Sequence, residues 1–241
     1  MKRLFSIVLV ISLLNFPIKT EAQIQGHTIV ARSDKAGITL YAEEREGLYR
    51  DFYLKFNGGM IVEQDWKNVT NPAFAPQIQT DDLNGDGQQE LVILLTKGTE
   101  TGVFVQEVHV FQYERRQIGD SAVKVPFETE VMDPIKWIRK NVTSTVHRNQ
   151  AEIKINGTSY TVDLRALAPK HLFKKVIFGN RITYEIRNHH LIARLGGEVS
   201  SAGGQMGELV ITYTYKHDHF QPQTATFCLK KDELINAAMN G

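Results

Sequence analysis

Alternation of apolar and polar residues at period two dominates the chain. Leu48 to Phe56, Val103 to Phe111, Ala151 to Ile155, Ser159 to Leu164, Arg181 to Ile186 and Glu208 to Tyr215 all carry β-branched or aromatic residues at every second position. Such spacing places the apolar set on one face of a strand. Asn156-Gly157 separates two of these runs, and both residues tolerate positive φ, so the pair predicts a two-residue hairpin turn. Asn57-Gly58-Gly59 predicts a second hairpin, between Leu54-Lys55-Phe56 and Met60-Ile61-Val62.

Helical signals are few. Asp133 is a suitable N-cap and Pro134 a suitable first helical residue, so a helix is expected to run to about Lys140. Ile135, Ile138 and Trp137 would pack inward. A second short helix is expected from Asp232 to Met239. The fold class predicted is mostly β, with antiparallel sheets arranged as a sandwich or a partial propeller and one or two short helices. The first helix falls near mid-chain. It marks the junction between an N-terminal β-rich half, 23–131, and a C-terminal one, 132–241, or else lies within one continuous domain over 23–241.

Asp82-Leu83-Asn84-Gly85-Asp86-Gly87-Gln88-Gln89-Glu90 interrupts the strand pattern. Oxygen-bearing side chains stand at Asp82, Asn84, Asp86 and Glu90, and Gln88 would offer its backbone carbonyl. Calcium takes about six to eight oxygen ligands, which a short loop supplies when alternate residues turn inward. Gly85 and Gly87 permit the tight curl. An EF-hand would place a bidentate Glu at the twelfth position, where Ile93 stands instead, and Leu91-Val92-Ile93-Leu94-Leu95 reads as a buried strand. The loop therefore feeds a strand. Within the loop stand three carboxylates and no Lys or Arg, and a bare polar turn leaves their repulsion uncompensated.

A loop of the form Asp-x-Asn-Gly-Asp-Gly followed by an acidic residue and an apolar run resembles the FG-GAP and VCBS-type repeats. The resemblance spans Asp82 to about Leu94. It implies an extracellular or cell-surface protein whose loop holds calcium at a β-hairpin. Propellers of that kind carry one loop per blade, whereas a single copy occurs here.

Met1-Lys2-Arg3 precedes an apolar run from Leu4 to Phe16, which Pro17 ends, and Thr20-Glu21-Ala22 supplies the small residues of a cleavage site. Residues 1–22 thus read as a secretory signal with Gln23 the mature start. The run is too short to span a bilayer, so no transmembrane anchor is expected after cleavage. The chain carries 28 Lys and Arg against 27 Asp and Glu. That balance leaves no electrostatic footprint for nucleic acid. Cys228 is the single cysteine, which excludes an internal disulfide and Cys-rich zinc sites, and its apolar neighbours predict a buried strand position. Asn68, Asn141 and Asn156 each begin a glycosylation sequon, which matters only in a eukaryotic host.

Other chemistry is sparse. His217-Asp218-His219, with His189-His190, offers imidazoles for zinc or copper but at no recognised spacing, and Lys216 to His219 reads better as a polar turn between Tyr215 and Phe220. Glu107 and His109 share a strand face and are the pair best suited to proton transfer, though no nucleophile accompanies them. Trp66, Trp137, Tyr49, Phe52 and Tyr53 read as core or groove-lining residues. The expectation is a secreted, non-enzymatic calcium protein with a structural role or an extracellular protein or glycan partner. A secreted hydrolase built from distant residues is the alternative, and a deep polar cleft holding Glu107 and His109 would distinguish it.

Overall fold

A computed structural model of the chain describes residues 24–229, apart from 58, 119, 166, 168–170 and 202–203. The expected signal segment and the helix at Asp232–Met239 lie outside the described residues.

The described chain is mostly β, as its alternation predicts. Its first sheet joins β1 (Thr28–Ser33), β2 (Ile38–Arg45), β3 (Leu48–Phe56) and β4 (Gly59–Glu63) in that order, with β5 (Asn68–Val69) pairing β3. A 3-10 turn at Pro72–Phe74 leads to β6 (Gln77–Asp81), β7 (Glu90–Gly98), β8 (Phe104–Ile118) and β9 (Ser121–Thr129). Then follow α1 (Pro134–Asn141) and the three-stranded sheet β10 (Val142–His147), β11 (Gln150–Ile155) and β12 (Thr158–Asp163). β13 (Ile177–Arg187), β14 (His190–Glu198), β15 (Gln205–Lys216) and β16 (His219–Leu229) form the closing meander.

The largest sheet runs β16-β15-β14-β13-β8-β7-β6, with β9 on the far part of β8. All its pairings are antiparallel except one: Arg181 and Ile182 of β13 lie parallel to Phe104 and Val105 of β8. This short junction joins strands from both sides of the expected boundary near residue 131. β7 explains why the packing is continuous there. Its Leu91, Ile93 and Leu95 enter one core with Ile38, Leu40, Phe52, Leu54 and Trp66. Its Val92 and Leu94 enter a second core with Ile153, Leu195, Leu209, Ile211 and Tyr213. A strand covered on both faces reads as an unbroken apolar run, which is what Leu91 to Leu95 shows.

Local chemistry sets the connections. Asn156 (φ 46°) and Gly157 (φ 87°) close the β11–β12 hairpin, and Phe56 stands opposite Gly59 in the β3–β4 hairpin. Asp133 caps α1 by accepting the Ile135 N–H at 2.8 Å. Ile138 is buried, and Ile135 and Trp137 pack against the same cluster. Tyr213 Oη donates to the Met132 carbonyl at 2.9 Å, tying the helix entry to the meander.

Two expectations need correction. Cys228 is on a strand, β16, but it is exposed; its neighbour Phe227 takes the inward position. Asn68 is unsuited to glycosylation because it is fully buried. Its amide nitrogen donates to the carbonyls of Val69 (2.7 Å) and Phe74 (2.9 Å), and its Oδ1 accepts the Thr96 N–H at 2.6 Å. The amide satisfies backbone that would otherwise be buried without partners.

Candidate metal centre

The 82–90 loop joins the inner end of β6 to β7, where Asp81 pairs with Glu90. Asp82, Asn84 and Asp86 each turn a side-chain oxygen back onto an N–H of the loop. Asp82 accepts two N–H groups, Gly85 on Oδ1 at 2.8 Å and Gly87 on Oδ2 at 3.0 Å. Asn84 Oδ1 accepts from Asp86 N–H at 2.8 Å, and Asp86 Oδ1 accepts from Gln88 N–H at 2.7 Å. These bonds hold the loop as a chain of Asx turns, with Gly85 (φ 79°) and Gly87 (φ 83°) in the left-handed region. A side chain at either glycine would strain the backbone.

Glu90 closes the loop from its far end. Its Oε2 accepts the Leu83 N–H at 2.7 Å and the Asn84 N–H at 3.1 Å. The residue is 2 % exposed. Burial pushes its carboxyl above the ordinary range; the two N–H bonds oppose this, and the nearby Asp86 and Asp82 charges add to it. Two neighbouring anions thus bear on one buried carboxyl, and the backbone amides offset only part of the cost.

The oxygens are directed at loop N–H groups rather than at one another. Among the described residues no group of three or more His, Cys, Asp or Glu is disposed to hold a metal ion. Asp86 Oδ2 and Glu90 Oε1 accept no hydrogen bond among the described residues, and a carboxylate oxygen already bonded to one N–H keeps a second lone pair. The donors are hard oxygens, the type calcium requires. The Gln88 side chain turns outward, 3.4 Å from Lys124 Nζ, which leaves its carbonyl as its contribution to the loop. Asp81, just before the loop, accepts the Asp82 N–H at 2.9 Å and contacts His189 Nδ1 at 2.7 Å. That tie anchors the loop entry to the β13–β14 turn, and no sequence spacing announced it.

The histidine pairs lie in hairpin turns. Asn188 and His189 link β13 to β14, and His217 and Asp218 link β15 to β16, all with positive φ. His219 Nδ1 contacts the His217 carbonyl at 2.9 Å. These contacts account for the polar runs as turns.

Glu107 and His109 do meet. His109 Nε2 is 3.6 Å from Glu107 Oε2, an ion-pair distance rather than a hydrogen bond, while Nδ1 lies 2.7 Å from Glu128 Oε1. The imidazole stacks on Trp66 with ring centroids 4.1 Å apart and planes 30° apart. Burial disfavours its charge, yet Glu107 and Glu128 outweigh that and hold its pKa above the ordinary histidine value. His109 in turn draws the Glu107 carboxyl below its usual range, with Lys97 assisting. Glu63 is raised, first by burial and then by Glu128. Glu107 lines a shallow cavity of about 340 Å³ with Asp133 and Tyr184, but His109 does not reach it. A buried imidazole, stacked on a tryptophan, is thus held by two carboxylates that reach solvent, and the cavity that Glu107 lines does not include it.

No protein-family model, curated protein or solved structure matches this chain. Fold and site together define a mostly-β molecule with one oxygen-rich loop set against its central strand. Among the described residues no helix is long and apolar enough to cross a membrane.

Proposed function

We propose that the protein is a secreted, non-enzymatic calcium-binding protein in which the ion fixes the β6–β7 connection. The ligands are Asp82, Asn84, Asp86 and Glu90 through their side chains and Gln88 through its carbonyl. The observation that carries this reading is the buried Glu90 carboxylate, raised by burial and by two neighbouring aspartates in a stretch, 82–90, that includes no Lys or Arg. A divalent cation removes that repulsion and stabilises the register in which β7 enters both cores. The basic-apolar-small pattern of residues 1–22 supports export to the extracellular space or envelope.

Calcium present at about 100 times its dissociation constant would add ~2.7 kcal/mol to stability. The expected outcome is a higher melting temperature in calcium than in chelator. Asp82→Ala and Asp86→Ala should remove most of that difference. Equal losses for the variants in both conditions would count against ion binding.

A further inference from the structure

A groove of about 600 Å³ lies beside the candidate calcium loop, which forms one wall through Gly87, Gln88 and Gln89. Its opposite walls come from the β1–β2 turn, the β3–β4 turn and the β8–β9 hairpin, so four connections distant in sequence converge there. The charge of this lining is one-sided. Lys35 and Lys124 both border it, and no Asp or Glu does. Among the described residues neither lysine has a carboxylate within ion-pairing distance; Lys124 has only the 3.4 Å contact with Gln88 Oε1. In a chain of near-zero net charge, two ammonium groups without an ion-pair partner flank one groove, and they favour an anion there once the carboxylates of the adjoining loop are offset by calcium.

The remaining lining describes what carries that anion. Phe56 and Tyr113 border the groove as aromatic groups, and both also pack against the core beneath β2 and β3. Asn57, Gln88 and Gln89 supply amides that donate and accept hydrogen bonds. Aromatic side chains beside amides suit a ring with one less polar face and a rim of hydroxyls. The lysines add a carboxylate to that description. We propose that the groove binds an acidic saccharide, its carboxylate between Lys35 and Lys124 and its hydroxyls on the amide wall. The lysines and aromatic residues of the groove lie outside the calcium loop, so saccharide binding can be tested apart from the metal. The further expectation that calcium tightens binding, by fixing Gly87–Gln89, rests on the calcium reading above.

Titration calorimetry with a tetrasaccharide of alternating glucuronate and N-acetylglucosamine tests this, with chitotetraose as the uncharged counterpart and a short poly-glutamate peptide as the non-sugar anion. The acidic tetrasaccharide should bind at least about 10-fold more tightly than either control, a gap of ~1.4 kcal/mol. Lys35→Ala and Lys124→Ala should each weaken it by about 10-fold, a typical loss for one charge-assisted contact. Both lysines are exposed, so an unchanged melting temperature verifies that the variants fold. Unaltered binding in both variants, equal affinity for either control, or no binding in calcium would overturn the saccharide site. If calcium raises the melting temperature while the saccharide fails to bind, the groove inference falls and the calcium reading stands. If the saccharide binds equally in chelator and calcium leaves the melting temperature unchanged, the groove stands and the calcium reading falls.

Discussion

Glu90 is where the polar loop meets the core. One oxygen satisfies the Leu83 and Asn84 N–H groups, so Glu90→Ala should cost about 1–3 kcal/mol in chelator by orphaning buried donors. Glu90→Gln keeps an acceptor and loses the buried charge. Its penalty should be small in chelator and larger in calcium, as denaturant titrations of both variants would show. The pH dependence follows from the direction of the shift. A carboxyl raised in the folded state binds its proton more tightly there, so in chelator its ionisation erodes stability as pH rises from the ordinary carboxyl range through the raised value. A bound cation favours the ionised form, so the stability gained from calcium should grow over the same rise in pH. A calcium increment independent of pH between mild acid and neutrality would contradict this.

His109 carries a second sign. Its raised pKa means that the imidazolium's contribution is fully present below the unfolded histidine pKa and is lost as pH climbs through the folded one. The groups facing it are Glu107, Glu128, Glu63 and the Trp66 ring, with Lys97 behind Glu107. Stability measured in chelator should therefore fall with rising pH across that interval, and His109→Gln should flatten the fall. An imidazole proton resonance titrating below the ordinary histidine value would sink this account. Sequence placed Glu107 and His109 on one face, because strand periodicity reaches two residues. It gave no sign of Trp66 or Glu128, which tertiary packing brings in from other elements.

At the scale of elements, legibility tracked how many faces of a strand are covered. β3 was readable at its observed bounds, Leu48–Phe56, because one face is buried and the other is partly wet. β2 and β14 did not stand out: Ile38 to Ala42 are buried consecutively, and β14 contains Gly196 and Gly197, so neither alternates. The helix was legible because its cap chemistry is local. The loop was legible as a break between strands from its Asp, Asn and Gly residues, yet the N–H partners its oxygens take depend on the path between β6 and β7. Glycines within the meander mark close approach. A Cβ on Gly207 would stand 2.4 Å from the Cys228 carbonyl and 2.8 Å from the Phe227 ring. Gly207→Ala should therefore cost about 1–3 kcal/mol by forcing β15 and β16 apart. Gly102→Ala meets no atom within 4 Å but sits at φ 78°, so its cost should be nearer ~1 kcal/mol of backbone strain. Equal penalties in chemical denaturation would refute that distinction.

For the whole molecule, β7 and β8 form the shared wall of two cores, with Val108 and Val110 in one and Phe111 in the other, so the halves expected from the mid-chain helix are packed through these two strands. Trp66 reports on the core under the five-stranded sheet, and Trp137 packs on the other core. Single-tryptophan variants should unfold with coincident midpoints, the behaviour of one cooperative unit. Separated midpoints would show that the junction at β8 and β13 is too short to couple the halves. Residue pattern alone could not resolve this, since sheet membership is set by long-range pairing.

The most direct test is calorimetric titration of calcium into chelator-stripped protein, wild type beside Asp86→Ala. Saturable binding of one ion per chain, abolished or weakened by at least about 100-fold (~2.7 kcal/mol) in the variant, is the predicted result. A wild-type chain that takes up no calcium at millimolar concentration would contradict the account at its root.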